Sequence, residues 1–366
     1  MKILDNSRGF SMEMTLGKRL RVTIFGESHG KGVGALVQGI PAGIIVNEAI
    51  IAQRLAERKP GRELASARKE PDICEIKSGI YNSKTTGYPV LLWINNQDAK
   101  SKDYSFLPEI PRPGHADLPS HIRSEGNADL RGGGSHSGRL TAPLVASAGL
   151  INNLRIDLGF EVFTQVCTIG NINAKPISTT ENIPLQTNAM KITTCKDENA
   201  AEKMYDLIKS TSEIGDSIGS SVEVAICGLP IGIGEPWFDG LEPALSRALM
   251  AIPAARAIEF GEGIAAVKMH GSEHNDAWEN NTGNPELSLD ADGALGGFST
   301  GAPLRIKVHF KPPSSISKTQ TTLNINSGIQ EELVIEGRHD PVIGPRASPV
   351  VQSVCELVIA DLILRK

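Results

Sequence analysis

Several features that would each signal a function are scarce or missing in this sequence. Aromatic residues make up 4% of its 366 residues, too few for the stacking platforms that hold single-stranded nucleic acid. The formal charge is -5, so the surface is not a general polyanion binder. No Walker A or G-x-G-x-x-G pattern occurs, which disfavours a P-loop or Rossmann nucleotide site. The five cysteines, Cys74, Cys167, Cys195, Cys227 and Cys355, form no C-x-x-C pair. A disulfide framework or zinc site is therefore not expected, and thiols in a reducing compartment fit better. No metal site of any kind is expected. No apolar run is long enough to span a membrane, and MKILDNSRGF lacks the apolar core of a signal peptide. Together these absences lead us to expect a cytoplasmic protein with neither nucleic-acid nor membrane partners.

What is present is a 40% hydrophobic chain, long enough for roughly two to three domains. Residues 1–12 read as a disordered extension. Alternating apolar residues predict strands at 20–25, 88–94, 221–227 and 303–310. Helical spacing predicts helices at 47–58, with Asn47 as N-cap, and at 141–157, 242–258 and 348–365. Residues 95–139 have little periodicity but much Gly, Pro, Arg and His, which reads as a long functional loop. The chain also repeats itself. GESHGKGVGALVQGIPAGI (26–44) aligns without gaps on GDSIGSSVEVAICGLPIGI (215–233), and GGSHSG (133–138) echoes GGFSTG (296–301). We expect one domain over 13–366, built from two similar α+β halves, about 13–210 and 211–366.

GESHG fits the G-x-S-x-G pattern of a hydrolase nucleophile elbow. The repeat argues against that reading. Ser28 is matched by Ser217, so the serine can belong to the turn, whereas His29 is matched by Ile218. The turn does not need a histidine, so His29 looks added for chemistry. An elbow also runs from strand into helix, but the glycine-rich stretch after Gly30 is strand-like.

Three more stretches can carry chemistry. RPGHAD (112–117) places His115 in the long loop, where a merely solvated histidine would look the same. DLRGGGSHSGRLTA (129–142) sets three glycines before a helix. That arrangement suits an anion, though a flexible turn would read alike. EGRHDPVIGPRASP (336–349) gathers Arg338, His339 and Asp340, or is a surface charge cluster. Arginines accompany all of them: Arg58, Arg62, Arg112, Arg131, Arg139, Arg338 and Arg346. Arginine reads carboxylate and phosphate bidentately, so a substrate with several anionic groups would suit them. A phosphate- or RNA-binding protein built on the RGGG loop is a rival, disfavoured by charge and scarce aromatics.

With FGESHG (25–30), ERKPGR and KEPD (69–72), RPGHAD, DLRGGGSHSGRLTA, GDSIG, LMAIPAARAIEFGEG (249–263), GALGGFSTG (293–301), KPPSSI (311–316) and GRHDP (337–341) in order, the sequence resembles the chorismate synthase family from about residue 17 to the C-terminus. The resemblance implies a lyase of the shikimate pathway of aromatic amino-acid biosynthesis. Its reaction is the 1,4-anti elimination of phosphate from 5-enolpyruvylshikimate 3-phosphate, giving chorismate. It needs reduced FMN without net redox change, and some members also reduce FMN with NADPH. The implied fold is a helical core between antiparallel sheets, and the implied assembly a homotetramer.

By the same resemblance, His29, with Ser28 beside it, protonates the departing phosphate. His115 lies by flavin N1 and O2, and Asp340 helps flavin N5 take the substrate proton; Ser137 joins this catalytic set. Arg58, Arg62, Arg112, Arg139 and Arg338 correspond to substrate-contacting positions. Flavin contacts fall on Ser135, His136, Ser137, Pro253, Ala254, Gly296, Lys311, Pro312, Pro313, Ser314, Ser315 and Arg338. The chain departs from the common pattern after its three glycines, where Ser135 replaces an arginine and His136 a serine. The second arginine of ERKPGR also sits about two residues early.

Overall fold

The computed structural model describes residues 13–59, 70–97, 101–180, 182–281, 284–287, 292–335 and 339–366. The expected extension 1–12, Arg62 and Arg338 lie outside them. Two five-stranded antiparallel sheets frame the fold. The first runs, edge to edge, Thr15–Leu16, Arg21–Gly26, Gly32–Gln38, Val90–Asn95, Cys74–Ile76. The second runs Ala255–Phe260, Leu304–Phe310, Ser220–Cys227, Glu161–Ile169, Ile172–Asn173. Leu304–Phe310 shows why such segments become strands. Leu304, Ile306, Val308 and Phe310 are buried, while Arg305, Lys307 and His309 point the other way, the period-2 pattern of a sheet with one face on the core.

Helices fill the space between the sheets. Glu48–Arg58 starts where the Asn47 side chain accepts the Ala49 N–H at 3.0 Å, a standard N-cap. Thr141–Leu150 packs on the first sheet and on the C-terminal helix Gly344–Ile363, which in turn packs on Glu161–Ile169 and Ser220–Cys227. Leu241–Met250 also lies against the C-terminal helix. Both central helices are buried along nearly their whole length, as an apolar face on every side requires. Two carboxylates of the last helix are buried in this core and paired. Glu356 takes the Arg54 guanidinium bidentately at 2.7 and 3.0 Å. Asp361 accepts the backbone N–H groups of Lys18, Arg19 and Leu20, tying the first sheet to the last helix. The α+β architecture expected from the sequence, a helical core between antiparallel sheets, is the one observed.

Two expected helices differ. The helix expected at 242–258 stops at Met250, and Ala255–Phe260 is an edge strand on Leu304–Phe310. Pro253 cannot continue a helix, and the residues beyond it find a ladder. The helix expected at 141–157 divides at Ile151, before Asn152 and Asn153, which are weak helix formers. The strand Glu161–Ile169 and helix Glu198–Glu213 were not anticipated. Within 95–139 the described part is ordered, with helix Asp117–Arg123 and tight turns at Ser101–Tyr104 and Arg131–His136.

One corner of each sheet is built with the same hydrogen bonds. Gly43 N–H donates to Thr85 O at 2.7 Å, and Thr85 N–H to Ile44 O at 2.9 Å. Gly232 N–H donates to Ser299 O at 2.9 Å, and Ser299 N–H to Ile233 O at 2.8 Å. The Thr85 and Ser299 hydroxyls each accept from the N–H of Ile44 or Ile233 at 2.9 Å and donate to the carbonyl of Pro41 or Pro230. The partner of GGFSTGAPL (296–304) is therefore NSKTTGYPV (82–90). GGSHSG is not that partner, since the Ala-Pro-Leu after it is helical while Leu304 begins a strand. Glu161–Ile169 belongs to the second sheet, so the sheets divide the chain near residue 160 rather than near 210.

Candidate active site

The turn GESHG joins two antiparallel strands, Arg21–Gly26 and Gly32–Gln38. It does not lead into a helix, so it lacks the backbone of a nucleophile elbow. Ser28 Oγ lies 3.0 Å from Arg131 O and 3.1 Å from Gly132 O, and the hydroxyl donates its proton to this carbonyl pair. Ser217 likewise donates to Pro313 O at 2.7 Å. In both halves the serine ties its turn to a distant loop. His29 Nδ1 lies 3.0 Å from Arg131 O. A carbonyl only accepts, so in this contact Nδ1 carries the hydrogen, with Ser28 Oγ 3.2 Å from the same nitrogen, and Nε2 is the atom at which the ring exchanges a further proton. Tyr104 stands edge-on to His29, centroids 5.1 Å apart, and Arg112 lies over the Tyr104 ring at 5.3 Å.

Three consecutive left-handed glycines bring the loop this close. At Gly132 (φ +60°) a Cβ would meet His29 Cε1 at 2.3 Å and Ser28 Oγ at 2.7 Å. Gly134 O also accepts the Ser28 N–H at 3.2 Å. These glycines make room for the GESHG turn. Ser135 and His136 are exposed beyond them, and Ser137 accepts the Arg139 N–H at 3.3 Å.

Arg112 is held by Asp117 through two guanidinium bonds of 2.7 Å. Beside it, His115 Nδ1 donates to Pro113 O at 2.9 Å, and Nε2 accepts from Ser315 Oγ at 3.0 Å. Burial first, and then the Arg112 charge, push its pKa down to about 4, so the ring is neutral at pH 7. Lys311 Nζ donates to Gly114 O at 2.7 Å and to Ser314 Oγ at 2.5 Å. The Lys311 N–H meets Ala254 O at 3.0 Å. Pro253 and Pro312 are exposed, and Pro313 carries the Ser217 bond. The structure thus joins His115, Lys311, Ser314, Ser315 and Ala254. No described contact brings Gly296 to them. It forms the exposed tip of the hairpin whose Gly297 O accepts the Leu241 N–H.

A second knot lies on the other side of GESHG. Arg58 donates to Thr141 Oγ1 at 2.8 Å, Gly138 O at 2.9 Å and Asp72 Oδ2 at 3.3 Å. Arg139 donates to Asp72 Oδ1, to Asn96 Oδ1 at 2.9 Å and to Asn95 O at 3.1 Å. The Asn96 amide donates to Glu27 O and Gly30 O, at 2.9 and 3.0 Å, so this knot grips the histidine turn. Burial, then Arg346 and Arg139, draw the Arg58 pKa down to about 9, with Asp72 and Asp340 offsetting part. It remains charged at neutral pH. Asp340 is ion-paired with Arg346.

Asp72, Asn96, Tyr104 and Asp117 were missed as site residues, although KEPD and RPGHAD contain two of them. The arginines were expected to await an anion, but the structure commits Arg112, and much of Arg58 and Arg139, to internal carboxylates. No disulfide joins the cysteines, and burial pushes the thiols of Cys74 and Cys167 up to about 12. HGSEH (270–274) has H-x-x-x-H spacing that the expectation of no metal site passed over. Among the described residues, no three potential ligands are grouped to hold an ion.

Fold and site define an α+β enzyme with buried arginines, two histidines and a glycine-lined turn at the end of its first sheet. The profile of the family described as chorismate synthase matches residues 20–364. Chorismate synthase of Aeropyrum pernix is 44% identical over 354 residues, covering 96% of this chain and 92% of that protein. The Helicobacter hepaticus enzyme is 39% identical, with 96% and 95% covered. A crystal structure of chorismate synthase superposes with TM-score 0.74 at 26% identity, covering 95% of this chain and 93% of that one. The chain belongs to the chorismate synthase family. Among the described residues no helix is long and apolar enough to cross a membrane.

Proposed function

We propose that the chain catalyses the 1,4-anti elimination of phosphate from 5-enolpyruvylshikimate 3-phosphate, yielding chorismate for aromatic amino-acid biosynthesis, as a cytoplasmic homotetramer that uses reduced FMN. The observation that carries this reading is the continuity of the site. His29 stands edge-on to Tyr104, whose ring in turn carries Arg112, on one side, and through Asn96 its turn is bonded to Arg139, Asp72 and Arg58 on the other. A general acid thus stands between groups suited to a phosphate and to carboxylates.

The residues present fit a flavin phosphate. At Gly114 (φ +69°) a Cβ would fall 2.7 Å from Ser314 Oγ and 3.4 Å from Lys311 Nζ, so the glycine lets the His115 loop close on this hydroxyl and ammonium, two groups of the kind that bind phosphate. Lys311, Ser314, Ser315 and neutral His115 would hold the cofactor, with the other resemblance-derived contacts around them. Bound there, reduced FMN would supply the transient electron density that eases loss of an allylic phosphate. His29 gives its Nε2 proton to the leaving phosphate. The arginines, preset by their carboxylates, stabilise negative charge without reorganising. Asp340, ion-paired with Arg346, is the basic group on the C6 side. NADPH serves as reductant if the chain also reduces its own flavin.

The test is anaerobic incubation of purified protein with the substrate and chemically reduced FMN. Chorismate and phosphate should form in equal amounts with no net flavin oxidation. Equal turnover without flavin, or none with it, rejects the proposal.

A further inference from the structure

We propose that Asp72 is a positioning residue that sets Arg58 and Arg139 as one anion clamp; this rests on the function proposed above. Arg58 ends the helix Glu48–Arg58, and Arg139 lies in the turn before Thr141–Leu150. The two guanidinium groups come from distant segments, and both side chains are almost wholly buried. Asp72 spans them, one carboxylate oxygen to each, with its side chain 0% exposed. Its backbone sits in the left-handed region, at φ +50°, a conformation Asp adopts more readily than most residues. Pro71 fixes the approach, and Lys59 Nζ donates to the Pro71 carbonyl.

A guanidinium has five N–H groups. Among the described residues, each of these arginines has three bonded: one to Asp72, one to a neighbouring side chain and one to a backbone carbonyl. Among the described residues, two on each make no hydrogen bond, with Glu70 Oε2 3.9 Å from Arg139 Nη2 as a further carboxylate. Without the carboxylate, two buried like charges would repel, and holding them in register would fall to two bonds to neutral groups on each. With it, both forks are fixed before an anion arrives, which is how a site lowers the ordering cost of binding. Asn96 carries that placement on to the turn of Ser28 and His29.

The charge effect and the positioning effect have opposite signs, which makes the proposal decidable. Removing a negative charge beside two arginines should by itself tighten an anion. Lost positioning should weaken it. For Asp72→Asn we expect the Kd of 5-enolpyruvylshikimate 3-phosphate, titrated into protein carrying oxidised FMN, to rise tenfold or more. KM should rise more than kcat falls, and FMN affinity should hold. Unchanged or tighter substrate binding overturns the proposal. If Asp72→Asn does not fold, Asp72→Glu keeps the charge but displaces it by one methylene. It should also weaken substrate binding, and wild-type affinity in it overturns the proposal equally. Wild-type protein that fails to bind the substrate overturns the functional reading itself, whereas wild-type binding with unaffected variants overturns only the role of Asp72.

Discussion

Gly132 and His29 are placed so that a methyl group on the glycine would fall 2.3 Å from the histidine Cε1. That contact leaves the ring one position, with Nδ1 on Arg131 O. Gly132→Ala must also hold alanine at φ +60°. Strain and overpacking of this kind typically cost ~1–3 kcal/mol. The variant should fold with a lowered thermal midpoint and lose most of its turnover, because the histidine is displaced. Wild-type turnover in a folded Gly132→Ala would show that the ring's position does not matter.

His29→Ala removes the proton donor and leaves the turn, whose counterpart Ile218 needs no histidine. FMN binding and the far-UV circular dichroism spectrum should be unchanged. Single-turnover formation of chorismate should slow by about 10²–10⁴-fold, the usual worth of a general acid. A loss below about threefold would take the acid role from His29.

Ser28→Ala should retain partial activity and wild-type should not be labelled by serine-directed reagents, since the hydroxyl is bonded to carbonyls and not aimed at a substrate. A stoichiometric adduct on Ser28, read by mass spectrometry, would restore the nucleophile.

His115 is held neutral, with its pKa near 4 against about 6.5 unfolded. The unfolded chain therefore binds a proton that the folded chain refuses, and stability from this group falls as pH drops from about 6.5 to about 4. The full effect is about 3 kcal/mol. Histidine ring NMR should show a midpoint near 4 for His115. Urea midpoints should decline less steeply over that window in His115→Asn than in wild type. A midpoint above 6 would remove both expectations.

Gly296 tests a flavin contact apart from folding. Its counterpart in the first half is Asn82, at φ +47° against +60°, and a Cβ at Gly296 would meet nothing within 4 Å. Gly296→Asn should keep its thermal midpoint within a few degrees while FMN affinity falls severalfold. Unchanged affinity would remove Gly296 from the cofactor site.

Of the ten strands in the two sheets, the sequence carried Arg21–Gly26, Val90–Asn95, Ser220–Cys227 and Leu304–Phe310, because apolar residues alternate along them. Leu304–Phe310 and Val90–Asn95 bury every second residue, and period 2 survives without tertiary context. It carried the helix start at Asn47 for the same local reason. What it did not carry depends on distant partners. Ala255–Phe260 becomes a strand because Leu304–Phe310 offers an edge. Asp72 and Asp117 looked like ordinary loop acids until Arg58, Arg139 and Arg112 were folded against them. The motif histidines were legible since little else explains a histidine in a glycine turn. Their tautomers were not, because Arg131 O and Pro113 O set them. The second repeat was misread because GGSHSG resembles GGFSTG in letters, while the hydrogen bonds of Ser299 reproduce those of Thr85.

We read the matched sheets as a duplication joined into one polypeptide, and the joining has a chemical consequence. Two separate identical subunits would share every substitution, so a histidine gained in one turn would appear in the other. Within one chain the copies are independent. His29 and Ile218 hold equivalent places with different side chains, and Asn82 faces Gly296 across the same relation. Covalent fusion therefore lets a symmetric scaffold carry one asymmetric site, while the sister turn holds the Pro313 loop through Ser217.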